Sequence, residues 1–280
     1  MKNIKIFAFS DEASPIIDKQ IEALLENNLD GIEIRNVDGV NISDITVEKA
    51  KEVKEKLDKN NLSVWSIGSP IGKIGIKDDF NEHIKKFRHT IEIAKILGTK
   101  NIRMFSFYMP ENEPYEKYKD EVIEKLRTLC EIAKEEGVTL CHENEKGIYG
   151  DIPERCLELL KAIPDLKGIF DPANFVQCGV DTKKAFELLK DNTYYMHIKD
   201  AAADGFVVPA GKGIGNVREI ANEFIALGVN AFTIEPHLTT FDGLANLERE
   251  GDKTNIENVF DSPEEAFSVA VKSFRGLIKE

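Results

Sequence analysis

Val122-Ile-Glu-Lys-Leu-Arg-Thr-Leu-Cys-Glu-Ile-Ala-Lys-Glu-Glu-Gly-Val-Thr-Leu-Cys-His-Glu143 is the stretch that decides the fold of this chain. Its first part, Val122–Ala133, has apolar residues at helical spacing, and Gly137 follows where the helix would end. Glycine takes the left-handed conformation that stops a helix without strain. The apolar run from Val138 has the length of a strand and ends at Glu143. The stretch therefore predicts a helix, a glycine stop and a strand that carries a carboxylate at its C-terminal end.

The same unit recurs roughly every 30 to 40 residues, the size expected of one strand plus one helix. We predict strands that begin near Ile4, Gly31, Leu62, Asn101, Val138, Lys167, Thr193 and Ala231. Amphipathic stretches lie between them, for example Ile16–Glu26, Val47–Leu57 and Ile84–Leu97. This alternation, without a linker-like stretch, predicts a single (β/α)8 TIM barrel over residues 1–280. A doubly wound sheet is the runner-up, but no GxGxxG motif follows the first strand.

Helix ends and starts are marked in the same way elsewhere. Gly98 and Gly228 each come a few residues before a predicted strand, which predicts two further glycine stops. Ser14-Pro15 and Ser262-Pro263 each place a capping oxygen before a proline in the first turn, so both are predicted helix starts.

Three more strands end in an ionisable residue, as the strand before Glu143 does. Asp171 closes its strand, His197 follows Tyr194-Tyr-Met, and Glu235 closes the last strand. Because a barrel delivers the C-terminal ends of its strands to one face, these four side chains are expected to converge on a cation. Two Glu, one Asp and one His suit one Mn²⁺, Co²⁺ or Mg²⁺ per chain, with Zn²⁺ as an alternative.

These residues lie in the motifs His142-Glu-Asn, Asp171-Pro-Ala-Asn, His197-Ile-Lys-Asp and Ile234-Glu-Pro-His. In these motifs the chain resembles the sugar isomerase/epimerase superfamily of xylose-isomerase-like barrels, which includes the ketose 3-epimerases. The resemblance covers essentially the whole chain. It implies one divalent metal, often Mn²⁺, held by Glu143, Asp171, His197 and Glu235, with both glutamates exchanging protons with the substrate. The ketose 3-epimerases often carry a histidine where this chain has Asn174, so we expect one substrate contact to differ.

The expected function is a metal-dependent epimerase or isomerase of a ketose, keto-sugar acid or related polyol ketone. The metal would stabilise an enediolate while Glu143 and Glu235, three strands apart, transfer protons on either side of the substrate. The first alternative is a dehydratase or lyase on a related keto-polyol, and the second is a non-catalytic sugar-binding partner subunit. A trinuclear-zinc endonuclease of similar fold would need more histidines than the five in this chain.

Five further residues are candidates for substrate contacts: Glu33, His142, Asn174, Lys199 and Arg218. His142 fits a barrel core equally well, and Glu33 fits an ion pair within the barrel. Lys199 and Arg218 would pair with substrate oxygens or be solvated. The segment Gly211-Lys-Gly-Ile-Gly resembles a phosphate loop, but we expect a flexible loop first and an anion site second.

Composition limits the partners of this chain. Its net charge of −13 and the lack of a basic stripe argue against nucleic acid. No apolar run has the roughly 20 residues of a membrane span, and no signal peptide precedes the first strand, so we expect a cytoplasmic protein without membrane contact. A small sugar or sugar acid is the expected partner. By analogy with related barrels, the long segment Thr239–Asp261 is a candidate surface for homo-oligomer formation.

Overall fold

The computed structural model describes residues 4–244, 256 and 259–278. In these residues eight parallel strands form a closed barrel. The strands are β1 (Lys5–Ala8), β2 (Gly31–Ile34), β3 (Ser63–Ile67), β4 (Asn101–Met104), β5 (Thr139–Glu143), β6 (Lys167–Phe170), β7 (Thr193–Ile198) and β8 (Ala231–Ile234). Successive strands are neighbours, and β8 pairs with β1, which closes the barrel. The predicted TIM barrel is confirmed, and the doubly wound alternative is wrong.

Nine helices surround the barrel in the described residues. They are α1 (Ile17–Glu26), α2 (Val47–Lys59), α3 (Phe80–Leu97), α4 (Lys119–Glu135), α5 (Pro153–Ala162), α6 (Pro172–Gln177), α7 (Thr182–Leu189), α8 (Val217–Leu227) and α9 (Pro263–Arg275). Their apolar faces pack on the outer side of the strands. The ring of Phe224, for example, lies 5.5 Å from that of Phe170 and 4.9 Å from that of Phe186. No helix in this part of the chain combines the length and apolar character needed to cross a membrane.

The glycine stops lie where the sequence predicts them. Gly98, Gly137 and Gly228 have φ values of 78°, 73° and 103°, in the left-handed region that ends a helix. At the start of α9, Ser262 Oγ accepts a hydrogen bond from the backbone N–H of Glu265, as predicted.

The predicted start of the first helix at Ser14-Pro15 is wrong. Helix α1 begins at Ile17, and Ser14 Oγ accepts only the backbone N–H of Ile16. The N–H of Ile17 instead donates to Asp38 Oδ1, at 2.9 Å. The cap comes from a residue 21 positions later in the chain, so no local pattern reveals it.

The barrel interior has an apolar lower layer and a charged upper layer. The lower layer consists of Phe7, Cys141, Ile169, Tyr195 and Ala231, with Trp65 packed against it. Side chains of a strand alternate between its two faces, so the residue two positions further along points inward as well. Two positions after Cys141, Ile169 and Tyr195 come the ionisable residues Glu143, Asp171 and His197. The apolar layer therefore lies directly below the charged layer.

Two long loops follow β7 and β8 at the charged end of the barrel. The first contains a short antiparallel pair, Asp200–Ala201 with Val207–Val208. The second is described only in part, so the predicted oligomer surface Thr239–Asp261 lies largely outside the described residues.

Candidate metal centre and active site

The four predicted metal ligands lie together at the C-terminal end of the barrel. Glu143, Asp171, His197 and Glu235 are buried, and one ligand-type atom of each lies within 4.8 Å of the others. Glu143 ends β5, His197 lies near the end of β7, and Asp171 and Glu235 directly follow β6 and β8. We call these four residues the ligand cluster.

His197 lies between the two glutamates of the ligand cluster. Its Nδ1 is 2.9 Å from Glu143 Oε1 and 3.4 Å from Glu235 Oε2. On the other side of the ring, Nε2 is 3.2 Å from Glu33 Oε2. Because Glu33 can accept only from an Nε2–H group, Nδ1 is the ring nitrogen directed at the other three ligands.

Glu33 lies behind His197 and is fully buried. Its Oε1 accepts a hydrogen bond of 2.8 Å from the hydroxyl of Tyr195, while its Oε2 faces His197. The edge of the His197 ring also packs against the ring of Phe9, at a centroid distance of 5.3 Å. These contacts fix the orientation of the imidazole. The structure therefore places Glu33 as a partner of His197 within the barrel, one of the two placements that the sequence left open.

Asp171 is held by backbone contacts on one side and open on the other. Its Oδ1 accepts the backbone N–H of Asn174 at 2.9 Å and so caps α6. Its own N–H and C=O form two 2.9 Å hydrogen bonds with the amide of Asn144. The second oxygen, Oδ2, lies 2.9 Å from Lys199 Nζ but receives no aligned hydrogen bond from the described residues. Lys199 thus links this oxygen to Glu235, another member of the ligand cluster.

Two predicted substrate contacts, Asn174 and Lys199, border the ligand cluster. Asn174 Nδ2 lies 3.4 Å from Glu143 Oε1 and 2.9 Å from the carbonyl oxygen of Asn144. Lys199 is buried and bridges two acids, since its Nζ lies 2.9 Å from Asp171 Oδ2 and 3.1 Å from Glu235 Oε2.

Neighbouring charges keep both glutamates of the cluster ionised. Burial raises the pKa of Glu143, but His197 and Arg103 outweigh it and bring the pKa to about 2. Burial also raises the pKa of Glu235, yet Lys199 and His197 hold it well below the usual range. Both carboxylates are therefore unprotonated at neutral pH, which is the form that a general base requires.

His197 holds a proton in the metal-free cluster, and Asp171 binds one more readily than an ordinary aspartate does. Burial raises the pKa of Asp171 to about 7, against the opposing charge of Lys199. Burial lowers the pKa of His197, but Glu143 and Glu33 outweigh it and raise the pKa well above its usual value. In the metal-free site, protons thus compensate part of the negative charge of the ligands.

Two buried arginines at the cluster were missed by the sequence analysis. Arg103, on β4, has Nη1 3.1 Å from Glu143 Oε2 and 4.0 Å from Glu235 Oε1. Arg35, directly after β2, has Nη1 3.4 Å from Glu235 Oε1. Their guanidinium groups lie 4.8 and 4.5 Å from the ring centre of Phe9. A charged residue at a strand end was the signal used for the four ligands, and it would have identified both arginines.

A second acidic group surrounds Arg35. Its Nε is 2.8 Å from Asp11 Oδ2, and its Nη2 is 3.0 Å from Glu12 Oε1. His237 Nδ1 lies 3.0 Å from Glu12 Oε1, and these two residues form a further group of ligand-type atoms with Glu235. The guanidinium of Arg35 already lies among these carboxylates and compensates part of their charge, which disfavours a second cation there. Asp11 and Glu12 lie in a short 3-10 helix after β1, where no periodicity marks them. His237 ends the Ile234-Glu-Pro-His motif but was not predicted as a site residue.

His142 lies outside the ligand cluster, in the barrel-core placement that the sequence left open beside a substrate contact. As the neighbour of Glu143 on a strand, its side chain points to the opposite face of β5. Its Nε2 is 2.9 Å from Ser106 Oγ, and burial lowers its pKa to about 4. A Cβ on Gly150 would lie 2.4 Å from the ring, so the histidine packs tightly between barrel and loop.

Arg218 is not one of the side chains that contact the ligand cluster in the described residues, and its predicted substrate contact stays a prediction. It is exposed in the first turn of α8, outside the barrel. There it lines a surface cavity together with Glu219 and Asn222.

The glycine segment after β7 binds an anion that belongs to the chain itself. The backbone N–H groups of Gly211, Gly213 and Gly215 donate to the carboxylate of Asp200 at 2.8, 3.0 and 2.9 Å. A Cβ on Gly213 or Gly215 would lie only 2.4 or 2.6 Å from Asp200 Oδ1. The glycines therefore make room for this carboxylate, and the segment is neither a loose loop nor an open phosphate site.

The sequence matches the model of a protein family described as the xylose isomerase-like TIM barrel, over residues 21–262. The chain belongs to this family. At the level of sequence, no curated protein matches the chain.

Several solved structures resemble this xylose isomerase-like barrel. IolI, whose structure holds a zinc atom, has a TM-score of 0.76 at 18% identity, covering 98% of each chain. The 3-keto-D-glucoside 4-epimerase YcjR from E. coli has 0.71 at 16% identity, covering 98% of this chain and 99% of its own. The probable 3-DHS dehydratase AsbF from Bacillus anthracis has 0.74 at 18% identity, covering 97% of this chain and 98% of its own. At these identities the likeness is one of fold.

The charges buried in this xylose isomerase-like barrel also fit a divalent cation. The permanent cations of the site are Arg35, Arg103 and Lys199. The carboxylates are Asp11, Glu12, Glu33, Glu143, Asp171 and Glu235. Six carboxylates against three cations leave a formal charge of −3 when the histidines are neutral, and a divalent ion would reduce it to −1. Since uncompensated buried charge is costly, both the donor atoms and the charge suit such an ion.

Proposed function

We propose that this chain is a divalent-metal-dependent epimerase or isomerase of a ketose, keto-sugar acid or related polyol ketone. The observation that carries the proposal is the ligand cluster, in which three carboxylates and one imidazole converge at the catalytic end of a family barrel.

Glu143, Asp171, His197 and Glu235 would hold one cation, with Mn²⁺ the first candidate and Co²⁺, Mg²⁺ or Zn²⁺ the alternatives. Two atoms support this assignment: Asp171 Oδ2, which has no aligned hydrogen bond from the described residues, and His197 Nδ1, which faces Glu143 at 2.9 Å. When bound, the cation would supply Lewis-acid polarisation of a substrate carbonyl.

Glu143 and Glu235 are the proposed proton-transfer groups. Both are ionised in the free site, and they approach the same Arg103 Nη1 and the same His197 Nδ1 from two strands. A substrate between them would have a carboxylate on either side. One glutamate would remove the proton beside the carbonyl. Return of a proton to the opposite face of that carbon gives the epimer, and return to the neighbouring carbon gives the isomer.

The test is exchange of substrate C–H protons in D₂O, followed by NMR over a panel of ketoses with Mn²⁺ or Mg²⁺ added. Glu143→Gln and Glu235→Gln should each reduce exchange by about 10²- to 10⁴-fold, because each removes one general acid or base. Glu136→Gln is the matched control, since that partly exposed carboxylate lies just after the C-terminal end of α4 and pairs with Lys95. Full exchange in either site variant would contradict the assignment.

A dehydratase or lyase is the alternative, supported by the similar fold of the probable dehydratase AsbF. In that reaction the deprotonated intermediate would lose a β-hydroxyl group instead of regaining a proton. Mass spectrometry of the product separates the two reactions, because only the dehydratase product is lighter by one water.

Three further expectations belong to the same proposal. Residues 1–280 would form a single domain, and the protein would act in the cytoplasm on a small sugar or sugar acid. A homo-oligomer is proposed only by analogy with related barrels.

A further inference from the structure

Anionic substrates need either a backbone anion site or unpaired cationic side chains. The clearest backbone site at the catalytic end of the described chain is the glycine segment after β7. Its three inward N–H groups are taken by Asp200, which is 1% exposed. A phosphate group of the substrate would therefore have to displace a buried carboxylate that has three hydrogen bonds.

Among the described residues, two of the cationic side chains buried at the ligand cluster are fully occupied by acids. Lys199 bridges Asp171 and Glu235. Arg35 directs Nε and Nη2 at Asp11 and Glu12, and its Nη1 at Glu235.

One of the three guanidinium nitrogens of Arg103 is available to donate a hydrogen bond to a ligand. Its Nη1 pairs with Glu143, and its Nη2 donates to the carbonyl oxygen of Gly68. Only Nε is buried without an acceptor among the described residues. Recognition of a carboxylate or phosphate by arginine usually takes two parallel N–H donors. A single N–H suits one hydroxyl or carbonyl oxygen, so Arg103 is prepared for a neutral ligand.

The total charge of the buried site also disfavours an anionic substrate. With its histidines neutral and its six carboxylates ionised, the buried site has a formal charge of −3, which one divalent cation would reduce to −1. A substrate phosphate or carboxylate would add negative charge to a region that already has an excess of it.

From these observations we infer that the substrate of this site is an uncharged keto-polyol that carries neither phosphate nor carboxylate. The inference rests on the proposed epimerase or isomerase function and narrows its substrate class by removing the keto-sugar acids. Arg103 Nε is the proposed donor to a substrate oxygen.

The test is a binding comparison on the unmodified protein with Mg²⁺ added, read by saturation-transfer NMR. Ketopentoses and ketohexoses are each paired with their terminal phosphate and their uronate, so that members of a set differ only in the charged group. We expect the neutral member of the best-binding set to bind at least about tenfold more tightly than either charged member. A phosphate or uronate that binds as tightly as its neutral parent would overturn the inference, as would the absence of binding by every neutral ketose.

C–H exchange in D₂O, measured on the same samples, separates this inference from the proposed function. Exchange that is confined to neutral ketoses supports both. Exchange of a phosphate or uronate supports the function and overturns the substrate class. Tight binding of a neutral ketose without exchange supports the substrate class and overturns the function.

Two variants test whether the excess negative charge and the occupied backbone N–H groups cause the preference for a neutral ligand. Glu12→Gln removes one acid partner of Arg35, so the preference for the neutral ligand should fall at least about threefold, whereas the partly exposed control Glu136→Gln should leave it unchanged. Asp200→Ala should bind inorganic phosphate more tightly than the parent, by ³¹P line broadening, because it frees three N–H groups. The inference would be contradicted if Glu12→Gln kept the full preference for the neutral ligand. It would also be contradicted if the parent protein bound phosphate as tightly as Asp200→Ala does.

Discussion

Replacement of Glu33 by glutamine tests how the barrel supports its histidine ligand. Glu33 accepts two hydrogen bonds, from the Tyr195 hydroxyl at 2.8 Å and from His197 Nε2 at 3.2 Å. Glutamine has the same shape but offers one oxygen and one NH₂ group. In Glu33→Gln, therefore, either Tyr195 or His197 faces a donor instead of an acceptor, and His197 loses the charge that favours Nε2–H.

The expected cost follows from these contacts. A buried donor without an acceptor costs about 1–3 kcal/mol. Loss of the partner behind a ligating histidine typically weakens metal binding by about 10- to 100-fold, which corresponds to about 1.4–2.7 kcal/mol. The two ranges overlap, so we expect Glu33→Gln to bind Mn²⁺ about 10- to 100-fold more weakly than the parent.

The assay is competition for Mn²⁺ with a chelator, with free Mn²⁺ measured by electron paramagnetic resonance. Tyr195→Phe removes the hydroxyl and keeps the Glu33–His197 contact, so its loss of affinity should be smaller. Glu12→Gln removes one charge from the same buried region without touching His197, and it controls for charge alone. Affinity in Glu33→Gln within about threefold of the parent would refute the reasoning. Equal losses in Glu33→Gln and Glu12→Gln would assign the effect to charge and not to the orientation of His197.

The remaining predictions concern protons and packing. Mn²⁺ affinity should rise with pH across the neutral range, because the ion must displace protons from His197 and from Asp171, whose pKa is about 7. Calorimetry in buffers of different ionisation enthalpy should detect proton release on Mn²⁺ binding. Binding without proton release would contradict this prediction. In the folded protein burial lowers the pKa of His142 from its usual 6.5 to about 4. Its contribution to stability is therefore present above pH 6.5 and lost as the pH falls toward 4, by about 2–3 kcal/mol; urea unfolding of His142→Gln should show a weaker pH dependence than the parent. Phe224→Ala should destabilise the fold by about 3–5 kcal/mol in urea, because its ring packs between β6 and α7; a loss below about 1 kcal/mol would contradict this packing.

The sequence was sufficient for the barrel and for the ligand cluster because both depend on periodicity. Gly98, Gly137 and Gly228 mark helix ends by a local backbone requirement. Once the strands are parallel and closed, residues at their C-terminal ends must meet. Glu143 and Glu235 therefore approach the same atoms although 92 positions separate them in the chain.

Other parts of the site depend on which face of a strand a side chain occupies and on how the loops after the strands fold. Because side chains alternate along a strand, Glu143 and its neighbour His142 point to opposite faces. The same alternation places Arg35, two positions after Glu33, on the face of Glu33, but the sequence was searched only for acids and histidines at strand ends. The hydrogen bonds between Asp200 and Gly211 to Gly215 are different in kind. They join residues 11 to 15 positions apart through an irregular loop, and no repeat in the sequence encodes that closure.

The same contacts explain why the site suits a cation and disfavours anions. Six acids can be buried together only because each has a cation, a proton or a hydrogen-bond donor beside it. In the metal-free protein His197 supplies one such charge, with Nδ1 2.9 Å from Glu143. A divalent ion that displaces this proton adds charge where the excess is negative, whereas an anion would have to take Arg35 or Lys199 from acids that would then be left buried and unpaired. Because separating a buried ion pair costs more than an exposed one, the exclusion of anions should persist at high salt, where surface electrostatics is screened.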